Sequence, residues 1–167
     1  MPKADQGVDA QKYQVVPRTL IFLFDSQENV LLLKGSITKR LWAGLYNGIG
    51  GHIEAGEDIL ASAQRELKEE TGLNEINLRC CGQIMVDVTE EVGIAIFIFR
   101  GIYEGYELSA SSEGDLAWIS LDNLSETSLV EDLPVLIPKV YHHQPTDPFI
   151  IGKYKYQYGG ELLMSFR

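Results

Sequence analysis

The chain has 167 residues, with 24 acidic against 14 basic side chains and a formal net charge of −10. That length accommodates one domain with a substantial core, and the acidic balance argues against a surface built to grip a nucleic-acid polymer or an anionic membrane. No apolar run is long enough to span a bilayer, and MPKADQGVDAQKYQ has no signal-peptide core, so a cytoplasmic protein is expected.

Residues 1–12 are polar and expected to be a flexible N-terminal segment, leaving residues 13–167 as a single domain. Residues 19–24 and 29–34 are apolar, rich in branched side chains and separated by DSQE, which predicts an antiparallel hairpin. A short strand over 46–50 ends at the Gly50-Gly51 turn. Residues 58–71 lack proline and glycine, and Leu60, Ala63 and Leu67 recur at helical spacing, so a helix is predicted there with Gly72 as its C-terminal cap. Residues 78–89 and 94–103 read as a second strand pair around a turn at 90–93. The adjacent Cys80 and Cys81 suit neither a disulfide framework nor a CxxC metal site, and one of them is expected to point inward as a small hydrophobe. Residues 116–120 form another strand, followed by a turn or small helix at 121–126. Asp132 and Pro134 open a second helix running to about Tyr141, with Pro134 tolerated in its first turn. His142 and His143 follow it and are read as surface cations at a helix C-terminus. The tail alternates and carries Gly159-Gly160, a hairpin signal; Tyr154, Tyr156 and Tyr158 share one face and are read as packing residues.

The chemistry concentrates in GHIEAGEDILASAQRELKEETGL, residues 51–73. On a helix, Glu66, Glu69 and Glu70 stand three and four residues apart, so their carboxylates project as one cluster. Such crowding repels unless a cation sits among them, and an all-oxygen cluster is what hard ions such as Mg²⁺ or Mn²⁺ prefer. Arg65, four residues before Glu69, can hold one carboxylate in a forked pair of hydrogen bonds, and Glu57 can bend back toward the site. The bland reading of RELKEE alone is a solvated helix face.

The fixed company of these residues outweighs that reading. Glu57 follows Gly51 by six residues, Arg65 follows Glu57 by eight, and Glu66, Leu67, Glu69, Glu70, Gly72 and Leu73 complete the pattern. This segment resembles the signature of the Nudix hydrolases at every specified position. The resemblance implies an α/β fold, the Nudix α/β/α sandwich with a mixed β-sheet. It also implies divalent-metal-dependent hydrolysis of a nucleoside diphosphate linkage, with Mg²⁺ as the cofactor and Mn²⁺ as the alternative. Glu66 and Glu70 are then the primary metal ligands, Glu69 shares or supports the site, and the Gly50 carbonyl is a further ligand. Glu57 orients a ligand or a water, and Arg65 orients the glutamates. Several branches of the family use a glutamate from a later loop as general base; Glu113 is the candidate, with Asp115 next and an exposed loop acid as the plain alternative. His52 stands at an unspecified position and reads as a turn residue.

LYNGIGGHIEAGED also resembles the branch that sanitises oxidised purine nucleoside triphosphates. In that branch an Asn four residues before the signature glycine reads the purine, which falls on Asn47. A late acidic pair binds the purine edge and falls on Glu131 and Asp132, at nearly the branch's distance after a strand tryptophan that matches Trp118. Val130 stands where the branch has an aromatic residue. Lys39 and Arg40 either meet the triphosphate or belong to a solvated loop. The expected reaction converts a (d)NTP or an oxidised purine (d)NTP to the monophosphate and pyrophosphate. The alternatives are hydrolysis of ADP-ribose, a nucleotide-sugar or a dinucleotide, and a nucleotide-sensing module that does not hydrolyse. Thr89 and Glu90 replace markers common in the ADP-ribose and dinucleotide branches. The expected partner is a small nucleotide, with no nucleic-acid polymer and no membrane, and the family allows a homodimer.

Overall fold

The computed structural model describes residues 7, 9, 11–36, 43–74, 76–105, 107–108 and 114–167. Most of the N-terminal segment expected to be flexible therefore lies outside the described residues. Among the described residues eight strands form one mixed sheet: β1 (Gln14–Phe24), β2 (Asn29–Gly35), β3 (Tyr46–Asn47), β4 (Arg79–Asp87), β5 (Val92–Ile102), β6 (Gly114–Ser120), β7 (Ile150–Tyr156) and β8 (Leu162–Phe166). Two α-helices among those residues, α1 (Ile59–Thr71) and α2 (Leu133–His142), cover its two faces, giving the α/β/α sandwich that the resemblance implied. No helix among the described residues is long and apolar enough to cross a membrane.

The centre of the sheet is β1, and its sequence explains why. From Leu20 to Phe24 every residue is apolar and buried, the pattern of a strand covered on both faces. Ile21 and Leu23 pack toward α1 with Ala63, Leu67 and Phe99, whereas Leu20, Phe22 and Phe24 pack toward α2 with Leu133, Leu136, Ile137 and Val140. One edge of β1 pairs in parallel with β5 along its whole length, from Gln14 opposite Val92 to Phe24 opposite Ile102, which is why β1 begins five residues earlier than expected.

The expected antiparallel hairpin of β1 and β2 forms, but its paired stretch is short. The two strands pair at Leu23–Leu31 and Phe24–Val30, after which that edge of β2 passes to β3, while its other edge pairs with β6 over the full length. The edge of β1 that β2 leaves is taken by the glycine turn. Thr19 N–H donates to Gly51 O at 2.9 Å and Ile21 N–H to Ile49 O at 2.7 Å, with Ile49 N–H returning a bond to Ile21 O. The third strand is correspondingly short, ending at Asn47 because the chain crosses from β2 to β1 there.

Several other details differ from the expectations. A register shift at Cys80–Gly82 breaks the simple alternation of β4; Cys81 is fully buried as the inward thiol, and burial pushes its pKa up to about 11. Tyr154 packs in the core, but Tyr156 is half exposed and Tyr158 lies past the end of β7, so the three do not act as one packing face. His143 is buried rather than a surface cation: Arg79 Nη1 lies 2.8 Å from its Nδ1, and its Nε2 lies 3.0 Å from Pro148 O. Arginine only donates and a carbonyl only accepts, so this ring is the neutral Nε2–H tautomer.

Candidate functional site

The site is assembled where the glycine turn on β1 meets the buried face of α1. Asp58 caps α1, its carboxylate accepting from Leu60 N–H and Ala61 N–H at 2.9 and 2.8 Å. Gly72 closes the helix in the left-handed conformation at φ 75°, donating to Lys68 O. With both ends set, the residues turned to the sheet are Ser62, Ala63, Glu66, Leu67, Glu70 and Thr71, whereas Leu60, expected in the apolar stripe, is exposed. Two of the three clustered glutamates thus lie on the packed face: Glu66 is 8% exposed and Glu70 4%. Glu69 faces out.

Two glycines make room for these carboxylates. Gly50 has φ 139°, where a side chain is strained, and an added Cβ there would also collide with the Thr19 carbonyl. A Cβ on Gly51 would sit 2.7 Å from Glu66 Cδ, inside the space the carboxylate fills. The bend also supplies a donor, since Gly50 N–H bonds Glu70 Oε2 at 3.1 Å.

Arg65 ties the remaining acids together. The expected fork forms, but onto Glu57 rather than Glu69: Nε donates to Glu57 Oε1 at 2.7 Å and Nη2 to Glu57 Oε2 at 3.0 Å. Its Nη1 donates to Glu66 Oε1 at 2.9 Å and to Glu69 Oε2 at 3.1 Å. Glu57 bends back as foreseen and also accepts from Glu54 N–H at 3.0 Å. Hydrogen bonding from Arg65 holds the Glu57 carboxyl down at about 2, and Glu57 in turn raises the pKa of Arg65. His52, read as a turn residue, contributes its carbonyl, which accepts from Arg65 Nη2 at 3.0 Å and Ser62 Oγ at 3.4 Å. Ser62 was not anticipated; it is fully buried, and its Oγ also accepts from Arg65 Nη2 at 3.4 Å.

Among the described residues, no group of three or more His, Cys, Asp or Glu side chains is already arranged to hold an ion. The carboxylates are instead turned to Arg65 and to the Gly50 N–H. The residues nonetheless fit a hard divalent cation: every donor is oxygen, two carboxylates one helical turn apart are buried, and the Gly51 cradle keeps the Glu66 head beside the bend.

The other expected site residues are scattered. Asn47 lies on β3, half-buried, its Oδ1 accepting from Gly48 N–H at 2.8 Å. The chain ahead of α2 runs beside it, with Val130 N–H donating to Tyr46 O at 3.0 Å. The acidic pair then divides. Glu131 is exposed and accepts from Leu162 N–H at 3.3 Å, while Asp132 is buried. Asp132 stands at the N-cap of α2, yet its side chain makes no capping bond. Burial raises its pKa, and that of the Tyr154 hydroxyl, which lies beside it without a hydrogen bond of good geometry. Asp115 is exposed on β6 opposite Lys34. Lys39, Arg40 and Glu113 lie outside the described residues.

The model of the NUDIX domain matches residues 15–140. The chain is 30% identical over 138 residues to the oxidized purine nucleoside triphosphate hydrolase of Danio rerio, an alignment covering 81% of this chain and 85% of that one. To the protein of the same name from Mus musculus it is 29% identical over 126 residues, 72% of this chain and 79% of the other. Among solved structures, the mutator MutT protein from Bacillus halodurans superposes with a TM-score of 0.74 at 28% identity, covering 92% of this chain and 97% of that one. With the domain match spanning most of the chain, the fold shared and the signature acids gathered at one bend, this chain belongs to the Nudix family and is a Nudix pyrophosphohydrolase.

Proposed function

We propose that this chain hydrolyses nucleoside triphosphates in the cytoplasmic pool to the monophosphate and pyrophosphate, with oxidised purine (d)NTPs as the preferred class. The observation that carries the reading is the meeting of Glu66 and Glu70 with the Gly50-Gly51 bend, Arg65 holding Glu57, Glu66 and Glu69 around it. On this reading Glu66, Glu69, Glu70 and the Gly50 carbonyl hold Mg²⁺, or Mn²⁺ in its place. When bound, such an ion neutralises phosphate charge and activates water. Arg65 keeps the carboxylates in register, Glu57 fixes Arg65, and Glu113 takes the proton from the attacking water.

Support for a purine triphosphate comes from two sources. Relatives at about 30% identity carry that name over most of their length. Asp132 supplies the second: a buried carboxyl that no cap consumes, on the stretch of chain that runs past β3 and Asn47. A buried acid kept without a structural use is a candidate for reading a base edge. In this reading Asn47 and Asp132 read the base, Glu131 assists, and Lys39 meets the phosphates.

The test is a panel of canonical and oxidised nucleotides, ADP-ribose, nucleotide-sugars and dinucleotides, assayed with Mg²⁺ and with Mn²⁺. Release of pyrophosphate from oxidised purine triphosphates is expected; turnover of only ADP-ribose or nucleotide-sugars refutes the substrate assignment. Glu70→Gln should lower kcat by about a hundredfold or more with the fold retained. An unchanged kcat refutes the ligand assignment.

A further inference from the structure

Arg100 is a half-buried cation that the catalytic reading leaves unused. It lies on β5 in step with Ile96 and Ile98, on the α2 side of the sheet, whereas Glu66 and Glu70 lie on the α1 side. Its cross-strand partner on β4 is another arginine, Arg79. Like charges directly opposite one another destabilise a strand pair unless each finds acceptors. Arg79 does, donating from Nη2 to His143 O at 2.7 Å and from Nη1 to His143 Nδ1 at 2.8 Å. Arg100 does not. Its Nε is buried with no hydrogen-bond partner, and it makes no ion pair among the described residues. The guanidinium carbon lies 5.6 Å from the centroid of the Phe24 ring. Burial lowers the pKa of Arg100, and Arg79 adds to that.

Arg100 also borders a cavity of about 810 Å³, walled by Phe24, Tyr103, Tyr141 and His142 and rimmed by the turn between β1 and β2. That size suits a nucleotide-sized molecule. Nearby acids are partly committed. Asp25 Oδ1 accepts from Gln27 N–H and Asn29 N–H, and its Oδ2 from Asn29 Nδ2. Glu28 accepts from the Tyr141 hydroxyl at 3.1 Å, and Glu104 stands on the cavity wall.

We propose that this cavity is a second binding site, on the face of the sheet opposite the glutamate cluster, for a small organic anion whose phosphate or carboxylate docks on the Arg100 guanidinium. The anion supplies the acceptors that Arg100 lacks and offsets the repulsion of the arginine pair, while the aromatic wall covers the apolar body of the ligand.

The probes are inorganic phosphate, citrate and GMP, titrated into the full chain while the arginine Nε–H resonances are followed by NMR. The resonance lost in Arg100→Met identifies Arg100. A saturable shift of that resonance is expected with at least one probe; response to phosphate and GMP marks a phosphate site, response to citrate alone a carboxylate site. Arg100→Met should weaken binding, followed at Tyr141 and His142, by about tenfold or more, because a charge-assisted bond is lost. Turnover should stay within about twofold of wild type. Arg100→Lys, which keeps the charge without the fork, should weaken binding less and serves if the Met variant does not fold. Glu70→Gln should leave the shift intact, which separates this site from the catalytic one. No shift with any probe, an unchanged affinity in both Arg100 variants, or loss of the shift in Glu70→Gln overturns the proposal.

Discussion

Arg65 organises the acids through donors that lysine or methionine cannot reproduce. Its fork explains why Glu57 titrates at about 2 instead of its usual 4.5. Because the folded value is depressed, the stabilisation from this pair is fully present above the ordinary value and is lost as the pH falls toward 2. In Arg65→Met the pKa of the Glu57 carboxyl should rise toward its ordinary value, as read by carboxyl-carbon NMR. A value still near 2 would mean that the Glu54 N–H, not Arg65, dominates. Gly51 tests the cradle. Its backbone is not in the left-handed region, so alanine there is unstrained locally, but the new methyl occupies the space of the Glu66 carboxylate. Gly51→Ala should keep the fold and lower kcat/KM by about a hundredfold, since displacing a reacting group by an ångström costs that much. Wild-type activity would show that Glu66 can move without consequence.

At the scale of the element, α1 and α2 begin differently although both have an aspartate at the N-cap. Asp58 spends its carboxylate on two N–H groups, whereas Asp132 spends none and is buried beside Tyr154. The difference has a pH signature. Burial raises the Asp132 pKa above its ordinary value, so holding the charged form in the fold costs stability once the pH exceeds that value. Below it the carboxyl is neutral in both folded and unfolded chains, and the cost vanishes. Asp132→Asn should therefore raise Tm at pH 8 and leave it unchanged at pH 3, by thermal melts at both. An equal effect at both would mean that the carboxyl is not held charged against its surroundings. Both helices were legible from their spacing and caps. Their buried faces were read less well: Leu60 matched the apolar period, yet the packed face of α1 is shifted to include Glu66 and Glu70. Periodicity counts apolar residues and so cannot see that two acids belong to the inward face. Pro138, within α2, also escaped notice; it removes a helical donor, but the apolar face of Leu133, Leu136, Ile137 and Val140 still fastens the helix to the sheet.

At the scale of the molecule, one sheet carries two cores, and β1 contributes to both with alternate side chains. Ile21→Ala on the α1 side and Leu136→Ala on the α2 side should each cost about 2–5 kcal/mol. Because the two cores share β1, both variants should unfold in a single transition by every probe. Separate transitions for the two faces would refute that coupling.

The order of glycines and acids in residues 51–73, and the helix that carries them, was set by the sequence alone, because caps and spacings act over a few residues and leave their marks in the chain. Which strand receives the glycine turn was decided by tertiary structure. The local pattern offered β2 as the neighbour of β1, and it is so at Leu23 and Phe24, but Ile49 and Gly51 occupy the edge further along β1. Strand pairing is a contest between segments far apart in sequence, and no window of residues records who wins it. The same holds for the half-buried pair Arg79 and Arg100, which are ordinary strand residues until β4 and β5 pair them across one face.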